Sequence, residues 1–408
     1  MASNPQLHLM TKLLNIEGVT VKSYQIIENI GITIYLDNNN KKAICPDCGK
    51  KTDKLHQNHY YVVRDLPFGE QKVYLQVNRR QMRCEGCPKK FSEDLEFVKK
   101  TRTYTERLKK KILSELLESD IKNVAQRNGV SEQEIETMLK EWGKELSGQK
   151  PSGLKRLGID EIALVKGQKN YCVVLVDIDK KIIVGMVKNR TQVEIQKYLE
   201  AWGEEVLDQI EEVSIDMWKP YKNVSEALMP QAEVVADRFH VMKQVNEELD
   251  GARKKIKKAA FALKNNSEKS RLLSGIKKSK YVLLKNEEDL TGLEKEQLES
   301  LKKVAPTLQK MHQMKEEFRQ IFEAPKDWVE GLFSLSDWLK DAISVFPKSC
   351  GTIIRWIGEI IAYFDRRTTQ GVVEGINNKL KLIKRKGYGF RNFDNFILRS
   401  FLHWHFAS

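Results

Sequence analysis

The chain has 408 residues, more than one typical domain needs, and 41% hydrophobic content is enough for folded cores. Seventy Lys and Arg against 56 Asp and Glu give a net charge of +14, which points to a polyanionic partner, nucleic acid first. No apolar run reaches the ~18 residues of a membrane span, and "MASNPQLHLMTKLLNIEG" lacks the basic leader and apolar core of a secretory signal. Neither a membrane nor an exported protein is therefore expected.

In a cytosolic protein, paired cysteines read as metal ligands sooner than as disulfides. Two matched pairs occur, "CPDCGK" (Cys45, Cys48) and "CEGCPKK" (Cys84, Cys87). A two-residue spacer lets both sulfurs of a pair reach one tetrahedral ion, and two pairs complete a closed structural Zn²⁺ site. Between them, "HYYVVRDLPFGEQKVYLQVNRRQMR" alternates and is broken by a Pro-Phe-Gly turn, so it reads as a β-hairpin returning the second pair to the first. The expectation for residues 1–98 is a zinc ribbon with a long hairpin. His56 and His59 read as surface histidines, and Cys172 and Cys350 as small buried residues.

Residues 100–148 read as three short helices. Leu108, Ile112, Leu113, Leu116 and Leu117 mark the first; Asp120 caps a second through Val124 and Ala125. After "NGVS", Ser131 and Glu134 form a capping box for a third helix carrying Ile135, Leu139 and Trp142. This spacing fits a DNA-binding helix-turn-helix. The acids Glu132, Glu134, Glu136 and Glu141 on the last helix are poor neighbours for phosphate, which leaves a plain helical bundle as the alternative.

After the linker "SGQKPSGLK" the pattern changes. "RLGIDEIALV", "NYCVVLVDID" and "KIIVGMVKN" read as three strands, followed by a helix over 191–202, a strand "VSIDMW", a short helix from Pro220 and a strand "EVVADRFHV". That order is the order of a ribonuclease H-like α/β fold. It predicts that Asp160 and Asp216 lie on neighbouring central strands. Alternation turns Glu161 to the face opposite Asp160. Asp177 and Asp179 read as hairpin residues, and Trp218 as packing. Asp237 lies near the site, as metal ligand or as support, and His240 as a local hydrogen-bonding group.

Residues 251–350 are Lys- and Glu-rich with helical periodicity and read as an all-helical insertion, with Trp328 and Trp338 in its core. "ARKKIKKAAFALKNNSEKSRLLSGIKKSKY" is basic enough to follow a DNA backbone. Beyond it, in "VVEGINNKLKLIKRKGYGF", Val373, Ile376, Leu380 and Ile383 form an apolar stripe. Glu374, Asn377, Asn378, Lys381 and Arg385 are assigned to the opposite stripe: one carboxylate, two amides and several cations.

"GIDE", "SIDMWKPY", "VADRFHV" and "VEGINNKLKLIKRKGYGFRNFDNF" resemble the sequence blocks of the ISL-three family of bacterial insertion-sequence transposases. The cysteine pairs and the helix-turn-helix sit where that family has them. The resemblance covers nearly the whole chain. It implies a DDE transposase whose triad is Asp160, Asp216 and Glu374, binding two Mg²⁺ ions (Mn²⁺ able to substitute). Asp237 and His240 are accessory candidates. Asn377 and Asn378 would orient the glutamate or contact DNA, and Lys381, Lys384, Arg385 and Lys386 would grip the backbone beside the cut. The implied architecture is a multidomain α/β protein. A zinc ribbon and helix-turn-helix precede a ribonuclease H-like core, 152–250 and 351–408, interrupted by the insertion. The implied partners are double-stranded DNA, as terminal inverted repeats and target, and a second copy of the chain; no membrane is implied. The implied location is the bacterial cytoplasm, at the nucleoid. Two alternatives stand beside this reading: a non-catalytic DNA-binding regulator, and a nuclease of the same fold without strand transfer.

Overall fold

The computed structural model describes residues 5–147, 150–165, 170–324, 326–368, 371–387 and 392–406. The chain divides into two compact units, Met1–Leu146 with Lys384–Ser408, and Ser147–Ile383. No described helix is long and apolar enough to cross a membrane.

The first unit opens with α1 (Pro5–Leu14), β1 (Val19–Ile27) and β2 (Gly31–Asn38). Short strands β3 (Ala43–Ile44), β4 (Lys51–Thr52) and β5 (Leu55–Gln57) lead to β6 (Tyr60–Phe68), β7 (Gln71–Asn78), β8 (Gln81–Arg83) and β9 (Lys90–Ser92). The expected hairpin is β6–β7, paired from Tyr60↔Asn78 to Phe68↔Gln71, with Gly69 at φ 58° in its turn. The hairpin is also half of a larger sheet, ordered β1-β2-β7-β6, in which β2 and β7 run parallel. Alternation explains the sheet: Ile34, Val63, Val73, Leu75 and Val77 are all buried on one side.

The helices α2 (Glu106–Glu115), α3 (Ile121–Asn128) and α4 (Glu132–Ser147) follow. Asp120 caps α3 by accepting the Asn123 N–H at 2.9 Å, and Gly129 ends it in the left-handed region at φ 61°. Ser131 N–H donates to Glu134 Oε2 at 2.8 Å and Glu134 N–H to Ser131 Oγ at 3.1 Å, the reciprocal box that starts α4. Leu108, Ile112, Val124, Ile135 and Leu139 form the core, and the C-terminal helix (Phe393–His405) joins it through Leu402. Buried Arg399 on that helix donates to the carbonyls of Leu116 and Ser119 at 2.6 and 2.7 Å.

The second unit begins with β10 (Arg156–Val165), β11 (Asn170–Asp177), β12 (Ile182–Val187), α5 (Gln192–Glu200), α6 (Glu204–Leu207), β13 (Glu212–Ile215), α7 (Lys219–Leu228), β14 (Glu233–Ala236) and α8 (Arg238–Phe261). The sheet order is β12-β11-β10-β13-β14; β10, β13 and β14 run parallel and the other pairs antiparallel. The strand–helix sequence is the expected one with one short helix added. Then come α9 (Asn266–Ile276), α10 (Ser279–Leu284), a 3₁₀ turn (Glu287–Asp289), α11 (Gly292–Val304), α12 (Pro306–Glu323), α13 (Trp328–Ala342), α14 (Pro347–Arg355), α15 (Ile357–Arg366) and α16 (Gly371–Lys386).

Sheet and helices share one hydrophobic core. Leu157, Ile159, Val213 and Ile215 belong to the same buried cluster as Leu301, Phe318, Phe322 and Trp338. Trp338 is buried and donates its indole N–H to the Met314 carbonyl at 2.8 Å. Trp328 is not in that core: it is 50% exposed. Phe364 closes against α13 at Gly331, where an added Cβ would lie 2.5 Å from the ring, and Trp328 in the first turn lies beyond that contact.

Candidate active site and zinc cluster

Strand register brings three aspartates together. Ile159 on β10 pairs with Ile215 on β13, and Ile215 pairs with Ala236 on β14. The next residue along each strand is Asp160, Asp216 and Asp237. Three aspartates therefore follow one another across the sheet: Asp216 and Asp237 just past the C-terminal ends of β13 and β14, where an open α/β sheet ordinarily binds its ligand, and Asp160 within β10, where its parallel pairing stops.

Their surroundings differ. Asp160 accepts the Glu161 N–H at 2.7 Å and the Asn377 Nδ2–H at 2.7 Å. Burial lifts its pKa to about 6, with the charges of Asp216 and Asp237 adding to the rise and His240 opposing it. Asp216 is partly exposed, and its Oδ2 lies 3.7 Å from His240 Nε2. Asp237 is buried and caps α8: its Oδ2 accepts the His240 N–H at 3.3 Å and meets His240 Nδ1 at 2.8 Å. Burial works against a charged His240, but the bond to Asp237 and the charges of Asp216, Asp237 and Asp160 raise its pKa. Glu161, on the opposite face, binds Arg190 at 2.8 Å, and that guanidinium lies over the Tyr171 and Trp218 rings. Trp218 also packs edge-on against Tyr221. Asp177 and Asp179 serve the β11–β12 turn, where Asp177 accepts the Lys180 N–H and Asp179 holds Arg156.

Helix α16 lies along β10. A Cβ on Gly158 would sit 2.7 Å from Val373 Cγ2, so glycine is what lets the helix come this close. One helical turn after Val373 comes Asn377, and two strand residues after Gly158 comes Asp160; the contact is repeated there as a hydrogen bond. Val373, Ile376, Leu380 and Ile383 are buried as the stripe requires. Asn377 is buried with them, not on the polar stripe: the inward face spans positions i, i+3, i+4 and i+7 and takes the amide in. Its amide N–H is directed at Asp160. Glu374, Asn378, Lys381 and Arg385 are exposed. Lys381 Nζ lies 3.4 Å from Asn378 Oδ1, and Lys386 pairs with Glu118 at 2.8 Å; Lys384 also has a partner within the protein. The Gly158–Val373 fit and the inward turn of Asn377 are not evident in the sequence. A glycine two residues before Asp160, and an amide four residues after Val373, are the signals that point to them.

In the first unit, the four cysteines are the one group of three or more His, Cys, Asp or Glu, among the described residues, whose ligand atoms all lie within 4.8 Å of one another. Cys45–Cys87, Cys48–Cys84 and Cys48–Cys87 are 3.7, 3.3 and 3.9 Å apart, as a tetrahedron of thiolates around one Zn²⁺ requires. The Gly86 N–H donates to Cys84 Sγ at 3.2 Å and holds that thiol down to about 6. His56 and His59 stand outside the cluster, and Cys172 and Cys350 are buried alone. Three of the acids noted on α4, Glu134, Glu136 and Glu141, are occupied within the unit. Glu141 pairs with Arg102 and, at 3.3 Å, with Lys109; Glu136 accepts from Asn395 at 2.9 Å.

Comparison with known proteins matches the chain domain by domain. Residues 157–400 match a transposase family profile of the ISL3 type. Residues 41–87 match the zinc-finger of transposase IS204/IS1001/IS1096/IS1165, and 93–143 the helix-turn-helix domain of transposase family ISL3. Over 401 residues, 96% of both chains, the protein is 28% identical to the transposase for insertion sequence element IS1001 of Bordetella parapertussis. Over 263 residues, 59% of this chain and 58% of the relative, it is 31% identical to the transposase for insertion sequence element IS1557 of Mycobacterium tuberculosis. A zinc ribbon and a DNA-binding helix-turn-helix ahead of an acid-bearing α/β unit thus define an insertion-sequence transposase. The chain belongs to the ISL3 family.

Proposed function

We propose that this transposase cleaves and joins DNA by a DDE mechanism on a ribonuclease H-like core, with Asp160, Asp216 and Glu374 as ligands for Mg²⁺. The observation that carries the reading is the register Ile159↔Ile215, which sets Asp160 beside Asp216. Helix α16 supports it, since Asn377 bonds Asp160 one turn from Glu374. The donor type suits a hard cation, carboxylate oxygens, one of them made costly to ionise by burial and by like charges, although Asp160, Asp216 and Glu374 do not all lie within 4.8 Å of one another. Asn377 Oδ1 is buried beside them with no hydrogen-bond partner.

Two bound divalent ions would activate the attacking water or 3′-hydroxyl and stabilise the leaving oxygen. The protein's own groups do the positioning. Asn377 fixes Asp160; Asp237 fixes His240, which faces Asp216. Lys381 and Arg385 are exposed on the side of α16 that carries Glu374, in reach of phosphates. The zinc ribbon and helix-turn-helix would recognise the element ends, and two copies would act on paired ends.

The test is incubation of the purified chain with DNA carrying the flanking inverted repeats and Mg²⁺, with products mapped at nucleotide resolution. Cuts and joined ends that disappear in Asp216→Asn and Glu374→Gln are expected. Cutting that persists in Glu374→Gln but is lost in Asp237→Asn would move the third ligand to Asp237.

A further inference from the structure

The protein's positive charge is concentrated in one place. Between residues 251 and 285, twelve Lys and Arg stand against a single acid, Glu268, in a chain whose whole net charge is +14. The next helices reverse the balance: residues 286–323 hold nine acids and six bases. Charge kept for solubility is ordinarily interspersed; segregation of this kind builds a field that attracts one sign of partner.

The structure shows how these cations are presented. They lie on the end of α8, on α9, on α10 and in the connections between and just after them, and α8 packs against both other helices. Ile256 and Ala260 turn inward, while Lys255, Lys257 and Lys258 are exposed without an acidic partner among the described residues. Lys277, Lys278 and Lys280 are exposed around the α9–α10 junction. Lys278 holds φ 57°, a left-handed conformation that glycine would take at less cost. Like charges three and four residues apart on a helix destabilise it, and an external counter-charge relieves that repulsion. Two aromatic rings stand among them: Phe261 is 57% and Tyr281 74% exposed. Lys269 and Lys285 are used inside the fold, on the Phe261 carbonyl and on Glu294, and are not part of the face.

We propose that this face of the helical insertion is a second, sequence-independent binding surface for the backbone of duplex DNA, separate from the end-reading modules. It rests on the transposase reading only for the choice of DNA as the polyanion. Lysines are point charges without the planar fork that reads a base edge, so a row of them contacts phosphate and carries no base readout. The partner is therefore flanking or target duplex, which has no fixed sequence.

The experiment uses the full chain and a duplex lacking the inverted repeats. Binding is measured from 50 to 200 mM salt for the wild type, for Lys255→Gln/Lys257→Gln/Lys258→Gln, and for Lys277→Gln/Lys278→Gln/Lys280→Gln. A third variant, Lys295→Gln/Lys303→Gln/Lys310→Gln, removes the same charge from α11 and α12. The expected result is a weakening of ten-fold or more in the first two variants only. Their log–log salt slope should be shallower by about 0.9 for each phosphate no longer neutralised. Equal weakening in all three variants, or unchanged slopes, overturns the proposal. So does a preference of the wild type for single-stranded DNA that the first two variants abolish. End cleavage is read in parallel. Normal binding by the variants alongside wild-type cleavage sinks the surface and leaves the transposase chemistry intact. Weakened binding in the first two variants, without any cleavage by the wild type, does the reverse.

Discussion

Asn377 donates its side-chain N–H to Asp160 across 217 residues of sequence, at 2.7 Å. The bond holds one oxygen of the carboxylate on the central strand and ties α16 to it. If Asp160 holds the metal as proposed, Asn377→Ala should reduce end cleavage by about 10–100-fold, the usual cost of losing a group that orients a metal ligand. Binding of end DNA should be unchanged. Calorimetric titration with Mn²⁺ should show weaker binding, and Asn377→Asp should be worse still, because it sets a further negative charge against Asp160.

The helix–strand contact gives a size test. Gly158→Ala places a methyl 2.7 Å from Val373 Cγ2 and forces α16 away from β10. Overpacking of this kind costs about 1–3 kcal/mol. Thermal unfolding should show that loss, and the double variant Gly158→Ala/Val373→Ala should recover much of both stability and cleavage. No recovery would mean that α16 is held by something other than this fit.

Asp160 gives a pH dependence of definite sign. Its pKa rises from 3.8 unfolded to about 6 folded, through burial first. The folded state therefore binds the extra proton between these values, and the stabilisation present below pH 4 is lost as pH rises through 6. At pH 8 without divalent ions, Asp160→Asn should be more stable than the wild type by up to about 3 kcal/mol. The difference should vanish near pH 4 and shrink when Mg²⁺ is added. A variant less stable at pH 8 would contradict the burial argument.

The four thiols make a metal-removal test. Native protein should carry one zinc per chain by elemental analysis, and Cys84→Ser should lose it. Chelation should unfold the ribbon, since the buried apolar groups around it are few, Ala43, Met82 and Phe91 with Cys45. DNA-end binding should fall, while the second unit melts at its usual temperature.

Arg399 makes a further stability test. Its guanidinium satisfies the carbonyls of Leu116 and Ser119 from a buried position, and burial lowers its pKa. Arg399→Ala leaves those carbonyls unpaired and opens a void. A loss of about 2–4 kcal/mol in the first unit is expected, read by denaturant unfolding.

What is legible in the sequence is what short spacing encodes. The cysteine pairs, the Asp120 and Ser131 caps and the β6–β7 hairpin all follow from neighbours a few residues apart, while the pairing that sets Asp160 near Asp216 is legible only through the order of the elements as a fold pattern. What stays hidden depends on distant partners. The parallel pairing of β2 with β7 has no local signature, although Ile32, Ile34 and Leu36 alternate. Nothing in "FILRSFLHW" says that its arginine ends against the turn after α2. Asn377 belongs to the polar stripe by its chemistry alone; its burial makes sense only with Asp160 standing opposite.

Both closing contacts come late in synthesis. Asp160 meets its amide only when α16 has left the ribosome, and the helix-turn-helix core waits for Leu402. For most of translation the growing polypeptide holds neither the Asn377–Asp160 bond nor the complete helix-turn-helix core. A product that ends between residues 286 and 370 would therefore keep the basic face of the insertion while lacking both Asn377 and Leu402.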